Sequence, residues 1–306
     1  MKQTALGFDT SNYTTSCAVW DGETGENAGR LLDVAPGELG MRQSEALFSH
    51  VKRLPELEDK LPPLAGVVAV GASEKPRETE DSYMPCFLAG VMAARTAAKA
   101  LGVPYFGFSH QQGHIAAALW SAGRLELMER EHLAWHLSGG TTELLYVRPE
   151  GVAVRCEIVG GTEDVTAGQT IDRAGQALGL AFPAGKALDA LSREAGTRDA
   201  WTPKLRGTWF SLSGVEHKMK QMVERGAEKA DTAYFTLASI AGTIARATEN
   251  AKKTYGDLPV LFAGGVSSNT LLRETIRDGI FAEPRFSTDN AMGIAILAMR
   301  AVMQDG

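Results

Sequence analysis

The chain has 306 residues, a formal net charge of −6 at pH 7, 44% hydrophobic and 22% charged residues. That length exceeds one ordinary core and predicts two bodies of about 100–200 residues each, with the balance of a globular protein. No run of 18 apolar residues exists, which argues against a membrane-spanning helix, and no basic stripe stands out, which excludes a protein that grips nucleic acid by charge alone.

The N-terminal segment enters a strand at once, residues 4–9, with no apolar h-region, so no signal peptide is expected. A polar turn, Thr10-Ser11-Asn12-Tyr13, follows, then a strand over 14–20, a hairpin turn at 21–25 and a third strand at 28–34. The hydroxyls and N–H groups of such a turn suit a phosphate. A helix is predicted over 43–61, kinked or split at Pro55. A buried strand at 65–70, a charged loop at 74–81, a small apolar helix at 87–101, a short strand at 103–107 and a helix opening with Ser109-His110 come next. This alternation predicts an α/β fold with a partly parallel sheet.

The opening pattern then recurs. Strands at 132–138, 141–148 and 152–159 surround a Gly139-Gly140 turn, roughly 130 residues after the first set. The spacing suggests two related lobes. The remainder reads as helices near 163–179, 186–195, 215–226 and 231–254, a buried strand at 258–263, a helix at 268–278, and a C-terminal helix opened by Asp289.

Four constellations carry chemistry. His110 and His114, one helical turn apart, project from one helix face, where two imidazoles can share a metal; the same spacing also serves surface or capping histidines. A third ligand must come from afar, and Asp289 at a strand-to-helix junction is the best candidate; such a set suits Fe(II) or Zn(II). Ser138-Gly139-Gly140-Thr141-Thr142 is either a glycine hairpin or a turn whose amides meet a phosphate. Ala263-Gly264-Gly265-Val266-Ser267-Ser268-Asn269 ends a strand and enters a helix, a frequent nucleotide position, though it is neither GxGxxG nor a Walker sequence. Asp172, ahead of Phe182-Pro183-Ala184-Gly185, suits ribose hydroxyls or is a solvated helix carboxylate. His132 and His136 read as strand packing residues, Met219 and Met222 as core, and Lys218, Lys220, Lys252 and Lys253 as solvated helix faces. Cys17, Cys86 and Cys156, widely spaced and without CxxC, predict buried thiols and a cytoplasmic location.

In order, GFDTS, HQQGH, SGGTTEL, GQTID with FPAG, WFSLSG, AGGVSSN-x-LLR and STDNAMGIA resemble the TsaD family, the catalytic subunit that makes threonylcarbamoyl-adenosine in tRNA, formerly glycoprotease or peptidase M22. The resemblance spans nearly the whole chain. It implies the two-lobed actin-like ATPase fold (a duplicated ribonuclease H-like fold), with residues 1–115 and the C-terminal helix 290–306 as one lobe and 116–289 as the other. It implies one divalent metal, Fe or Zn, on His110, His114 and Asp289. It implies an acyl- or carbamoyl-adenylate, ATP or AMP in the interlobe cleft, contacted by Thr10, Ser11, His136, Leu137, Ser138, Gly139, Gly140, Thr141, Asp172, Gly185 and Asn269. The implied partners are tRNA and TsaB-like and ATPase subunits; no membrane is involved.

The sequence departs from the family pattern in places. Tyr13 and Thr14 stand where an acidic pair is usual, Thr141 replaces a histidine, Gln169 replaces an acid, and Glu74 to Asp81 replaces a glycine-rich segment. These departures suggest a divergent paralogue, so a carbamoyltransferase with another acceptor and a non-catalytic partner subunit stand as alternatives. A metallopeptidase is disfavoured, since no HExxH is present.

Overall fold

The computed structural model describes residues 2–11, 13–33, 41–79, 82–287 and 290–304. The chain forms two compact units, one of Met1–Arg130, Arg148–Cys156 and Thr288–Gly306, the other of Glu131–Val147 and Glu157–Ser287.

In the first unit, β1 (Thr4–Asp9), β2 (Thr14–Trp20) and β3 (Gly25–Leu31) form an antiparallel meander; β4 (Val67–Lys75) pairs parallel with β1, and β5 (Tyr105–Ser109) parallel with β4. The sheet order is β3-β2-β1-β4-β5. Every residue of β2 is buried, as expected of a strand covered on both faces. The helices are α1 (Gln43–Glu58), α2 (Phe87–Leu101), α3 (His110–Ser121) and α9 (Met292–Gln304). Pro55 does not split α1. It removes one N–H from the ladder in the last turn, and the helix continues only three residues beyond it, ending at Glu58. The charged stretch expected as loop from residue 74 begins instead inside β4, which runs to Lys75; Tyr105 donates to Glu74 at 2.7 Å across β5.

The second unit repeats this topology. β6 (His132–Leu137), β7 (Thr142–Glu150) and β8 (Ala153–Thr162) form the meander, β10 (Val260–Ala263) pairs parallel with β6, and β11 (Ile280–Phe281) parallel with β10. A short strand that the sequence pattern does not mark, β9 (Trp209–Phe210), adds outside β8, giving β11-β10-β6-β7-β8-β9. Apart from β9 the order is that of the first sheet. The core gathers Trp135, Phe210 and Phe262 with α4 (Ala167–Ala177), α5 (Gly185–Ser192), α6 (Ser213–Glu224), α7 (Lys229–Tyr255) and the short α8 (Thr270–Thr275). The buried Trp135 donates its indole N–H to Thr248 at 2.9 Å, satisfying a polar atom that burial would otherwise penalise. The tip of the β7–β8 hairpin belongs to the first unit, where Gln112 and Arg300 donate to the carbonyls of Val154 and Val152.

Candidate functional site

In the first unit the chemistry collects at the C-terminal ends of β1 and β5. Asp9, the last residue of β1, is 1% exposed. Its Oδ1 accepts from the Ser11 amide at 2.8 Å, and its Oδ2 lies 2.7 Å from Nδ1 of His110. His110 is the first residue of α3, whose start is fixed by a capping box between Ser109 and Gln112. His114 stacks edge-on beside it, with ring centroids 4.2 Å apart. The sequence thus presented the imidazole pair, but Asp9, which orients one ring through its Nδ1, was legible only as part of GFDTS. A carboxylate behind an imidazole fixes its tautomer and leaves Nε2 facing away, the usual support of a metal-binding histidine. Two adjacent imidazoles, one oriented by a carboxylate, are residue types that a divalent metal accepts, though two rings alone do not complete a site. Among the described residues no group of three His, Cys, Asp or Glu forms a ligand cluster, and Asp289 lies outside the described residues.

The β1–β2 turn divides its hydroxyls. Thr10 is fully buried, donates to the Cys86 carbonyl at 2.9 Å and accepts from the Gly90 amide at 3.1 Å, so its side chain ties β1 to α2. Ser11 is also buried, yet among the described residues its Oγ has no partner. Trp20 Nε1 and Ser73 Oγ are in the same state among the described residues, so the orphaned hydroxyl leaves room for a ligand atom or water without marking one. Where the family has its acidic pair, Tyr13 is half-buried and Thr14 is buried; beside them Thr15 meets Nδ1 of His50 at 2.8 Å with both residues fully buried.

In the second unit two glycine turns lie at the C-terminal ends of β6 and β10, and the start of α4 packs on the first. Ser138 closes its turn by donating its amide to the Thr141 carbonyl at 2.8 Å, while the Thr141 amide donates to Ser138 Oγ at 3.0 Å. The start of α4 is docked on this turn: Thr166 Oγ1 donates to the Gly139 carbonyl at 2.7 Å, and the Ala167 amide donates to Thr142 Oγ1 at 2.9 Å. Gly168 permits the approach, since a Cβ there would fall 2.5 Å from the Ser138 carbonyl oxygen. Gln169, the replacement for the family's acid, closes the capping box of α4 with Thr166. Gly264 turns at φ +94°, and a Cβ on it would fall 2.2 Å from the Leu137 carbonyl oxygen. By contrast, a Cβ on Gly139, Gly140 or Gly265 would meet nothing within 4 Å. Nothing in the protein's own packing requires glycine at these three positions. His136, half-buried at the end of β6, and Leu137, buried, lead into the turn.

Asp172, on α4, accepts from the Ala184 amide at 2.9 Å through Oδ1, and among the described residues Oδ2 has no partner. That bond holds the Phe182–Gly185 loop against α4, with Phe182 83% exposed and Gly185 opening α5. Asn269 serves mainly as a cap: its Oδ1 accepts from the Leu272 amide and its Nδ2 donates to Asp189, each at 3.0 Å, leaving one amide hydrogen over. Asp189 also accepts from Thr270, so this carboxylate fastens α8 to α5. Asp164 is a feature that no motif in the sequence marks. Desolvation raises its pKa, but donors from Ser211, Ser213 and the amides of Leu212 and Val165 outweigh this and hold it down at about 2. Through it the β8–α4 loop grips the WFSLSG segment. The three cysteines are free thiols; burial pushes that of Cys17 up to about 12.

The model of the tRNA N6-adenosine threonylcarbamoyltransferase family matches residues 83–296. The tRNA N6-adenosine threonylcarbamoyltransferase of Thermus thermophilus is 34% identical over 311 aligned residues, covering 96% of this chain and 92% of that one. Among solved structures, HypF in its phosphate- and nucleotide-bound form superposes with a TM-score of 0.60 at 13% identity, covering 99% of this chain and 55% of that one. The activator of 2-hydroxyisocaproyl-CoA dehydratase from Clostridium difficile, with bound ADPNP, gives 0.55 at 13% identity, covering 99% and 97%. These structures establish the actin-like ATPase fold.

Proposed function

Since the chain belongs to the tRNA N6-adenosine threonylcarbamoyltransferase family, we propose that it is a transferase that moves a threonylcarbamoyl group from an adenylate to an adenosine of tRNA. In the balanced step, the adenosine amino nitrogen attacks the carbamoyl carbon, the bond from that carbon to the phosphate oxygen breaks, AMP leaves with the electron pair, and the nitrogen gives up a proton. The observation that carries the nucleotide part is the set Gly139, Gly140 and Gly265, bare at a strand edge without any steric need of their own. A Cβ-free surface with amides at the C-terminal ends of parallel strands suits a phosphate brought against the backbone.

Within this reading the residues of the second unit bind and orient. The Ser138–Thr141 turn takes the phosphate and adjoining acyl oxygens through its amides. Asp172 offers Oδ2 to ribose hydroxyls, Gly185 lets the nucleoside approach, and the spare amide hydrogen of Asn269 meets the adenylate. In the first unit the unpartnered Ser11 hydroxyl binds a ligand oxygen. His110 and His114, with Asp289, would hold Fe or Zn, and Asp9 would keep His110 in the right tautomer. Such an ion supplies Lewis-acid polarisation of phosphate or carbamoyl oxygens. Positioning of amine and acyl group supplies most of the acceleration. We place the two compact units as the two lobes of the actin-like fold, in the cytoplasm, with TsaB-like and ATPase subunits as partners.

A second reading keeps the adenylate chemistry and changes the acceptor. It is favoured by Tyr13 and Thr14 in place of acids and by Thr141 in place of histidine. Complementation of a strain lacking its own tRNA enzyme, with partner subunits supplied, separates the two. Restored threonylcarbamoyl-adenosine in tRNA supports the first reading; adenylate turnover without tRNA modification supports the second. Metal analysis of the purified protein against His110→Ala and mass spectrometry of co-purified nucleotide test the site itself. A protein with neither metal nor adenine nucleotide refutes both readings.

A further inference from the structure

Gly168, Asp172 and Gly175 recur at i, i+4 and i+7 on α4, so they form a row along one helix face about 10 Å long. The N-terminal end of the row touches the glycine turn, since a Cβ on Gly168 would fall 2.5 Å from the Ser138 carbonyl oxygen. The C-terminal end touches the loop that leads into α5. A Cβ on Gly175 would fall 2.1 Å from that of Ala184, and the Gly175 carbonyl accepts from the Leu180 amide at 2.8 Å. Asp172 stands between the two contacts, half-buried, with Oδ1 holding the Ala184 amide at 2.9 Å.

This fastened loop displays an aromatic ring. Ala184 is 1% exposed, held by Asp172 on one side and accepting from the Leu188 amide at 2.8 Å on the other. Two residues before it, Phe182 is 83% exposed, the highest value of any large apolar side chain among the described residues. Its neighbours Ala181 and Pro183 are exposed as well. A single apolar residue on a surface is ordinary. Phe182 is set apart by its place, on a backbone pinned at Leu180 and Ala184 and two residues from the amide that Asp172 holds. Gly185, on the far side of Ala184, adds an independent sign of close approach: a Cβ there would meet only Cγ2 of Ile171, at 3.9 Å, so packing does not require glycine.

The order of groups in an adenylate decides what the ring meets. Base, ribose, phosphate and acyl group follow one another along that molecule. With the phosphate on the Ser138–Thr141 turn and the ribose on Asp172, the acyl group lies at the turn and the base extends the other way, toward the Phe182 loop. The row on α4 has the same order, over about the reach of a nucleoside monophosphate. The attacking amine must come to the acyl carbon, so the acceptor's own base belongs at the end remote from Phe182. A phenyl ring carries no donor or acceptor and can offer only its flat face and edge, which suits the face of a purine.

We propose that Phe182 is the platform on which the adenine ring of the adenylate stacks. The inference rests on the adenylate reading given above. It adds the residue that holds the base and gives the exposed ring of the FPAG segment a role.

The test uses the full chain, with AMP as the probe in calorimetry and ribose 5-phosphate, which lacks a base, as a competitor. Phe182→Ala should raise the AMP Kd about tenfold, the usual effect of removing an aromatic partner from a stacked base. The inhibition constant of ribose 5-phosphate and the melting temperature should not change. Phe182→Trp should bind AMP at least as tightly as wild type, while Phe182→Leu, apolar without a ring, should stay several-fold weaker. A wild-type AMP Kd in Phe182→Ala overturns the inference and leaves the adenylate reading intact. So does an equal loss for AMP and ribose 5-phosphate, which would place the effect in the loop and not in the base. A raised KM for tRNA or weaker binding of partner subunits, with AMP affinity unchanged, assigns the ring to the acceptor or to a partner and also overturns it. A wild-type protein that binds no AMP overturns both readings.

Discussion

In the first unit α3 and α9 approach at their glycines, which makes a sharp prediction for Gly293→Ala. A Cβ on Gly293 would fall 1.8 Å from the carbonyl oxygen of Gly113 and 2.6 Å from its carbon. That is roughly 1.5 Å short of ordinary contact, and the obstacle is helix backbone, which no rotamer change can move. Overpacking of a close-packed core costs about 1–3 kcal/mol, and this case belongs at the upper end. Alanine returns up to about 1 kcal/mol in helix propensity, leaving a net loss of about 2 kcal/mol. With an m-value of about 2 kcal/mol/M, the urea midpoint of the unit should drop by about 1 M. Gly113→Ala is the informative comparison. Its Cβ would meet the Cδ1 of Ile294 at 2.9 Å, the flexible end of a side chain, so a second change, Ile294→Val, should restore most of the loss. No such partner rescues Gly293→Ala. Because His110 and His114 flank Gly113 on α3, the Gly293 variant should also lose bound metal. A Gly293→Ala midpoint within about 0.2 M of wild type would refute the reasoning, since the steric premise would then be wrong.

Gly139→Ala and Gly140→Ala, which add a methyl into open space, should raise the urea midpoint by about 0.2–0.5 M while weakening binding of an adenine nucleotide at least tenfold by calorimetry; unchanged affinity would remove the glycine turn from the ligand site. Asp9→Asn should keep the fold but lower metal affinity about 10–100-fold by competition with a chelator, because the group that fixes the His110 tautomer is altered. The Asp164 carboxyl is held at about 2, below its unfolded value of 3.8, so its contribution to stability is present above about pH 4 and disappears as pH falls from there toward 2. Because the residue is exposed, that contribution is no more than about 1 kcal/mol, and the urea midpoints of wild type and Asp164→Asn should differ most at about pH 6 and draw together only as pH falls through about 2. Cys17, with its thiol pushed up to about 12, should resist iodoacetamide at about pH 8 in the native protein and react on unfolding.

Much of the fold was readable because period and punctuation agreed. The two meanders announced themselves through strands closed by Asp21-Gly22 and Gly139-Gly140, and the recurrence that suggested related lobes is matched by a sheet order common to both units apart from β9. Tertiary contacts decided the rest. β9 has two residues and exists because Trp209 and Phe210 pair with the end of β8, a long-range partner no local pattern names. Pro55 looked like a break, and α1 does end within one turn of it, at Glu58, without being split. Glu74 looked like loop because charge usually is; Tyr105 gives it a hydrogen-bonding partner on the neighbouring strand.

The candidate site shows a different limit. A sequence records that a residue is glycine but not why. Gly168, Gly264 and Gly293 are required by the protein itself, since each would put a Cβ into neighbouring backbone. Gly139, Gly140 and Gly265 look the same in sequence and have no such neighbour. Alanine at any of these three would cost the fold nothing and would reduce the entropy of the unfolded chain. Glycine there is thus a forgone stabilisation, for which the phosphate contact proposed above supplies a reason. The same logic separates Thr10 from Ser11. Both hydroxyls are buried in one turn; one is consumed by Cys86 and Gly90, and the other waits for a partner that the described residues do not supply. Sites for a ligand are legible in a structure as requirements that the protein's own atoms leave unexplained.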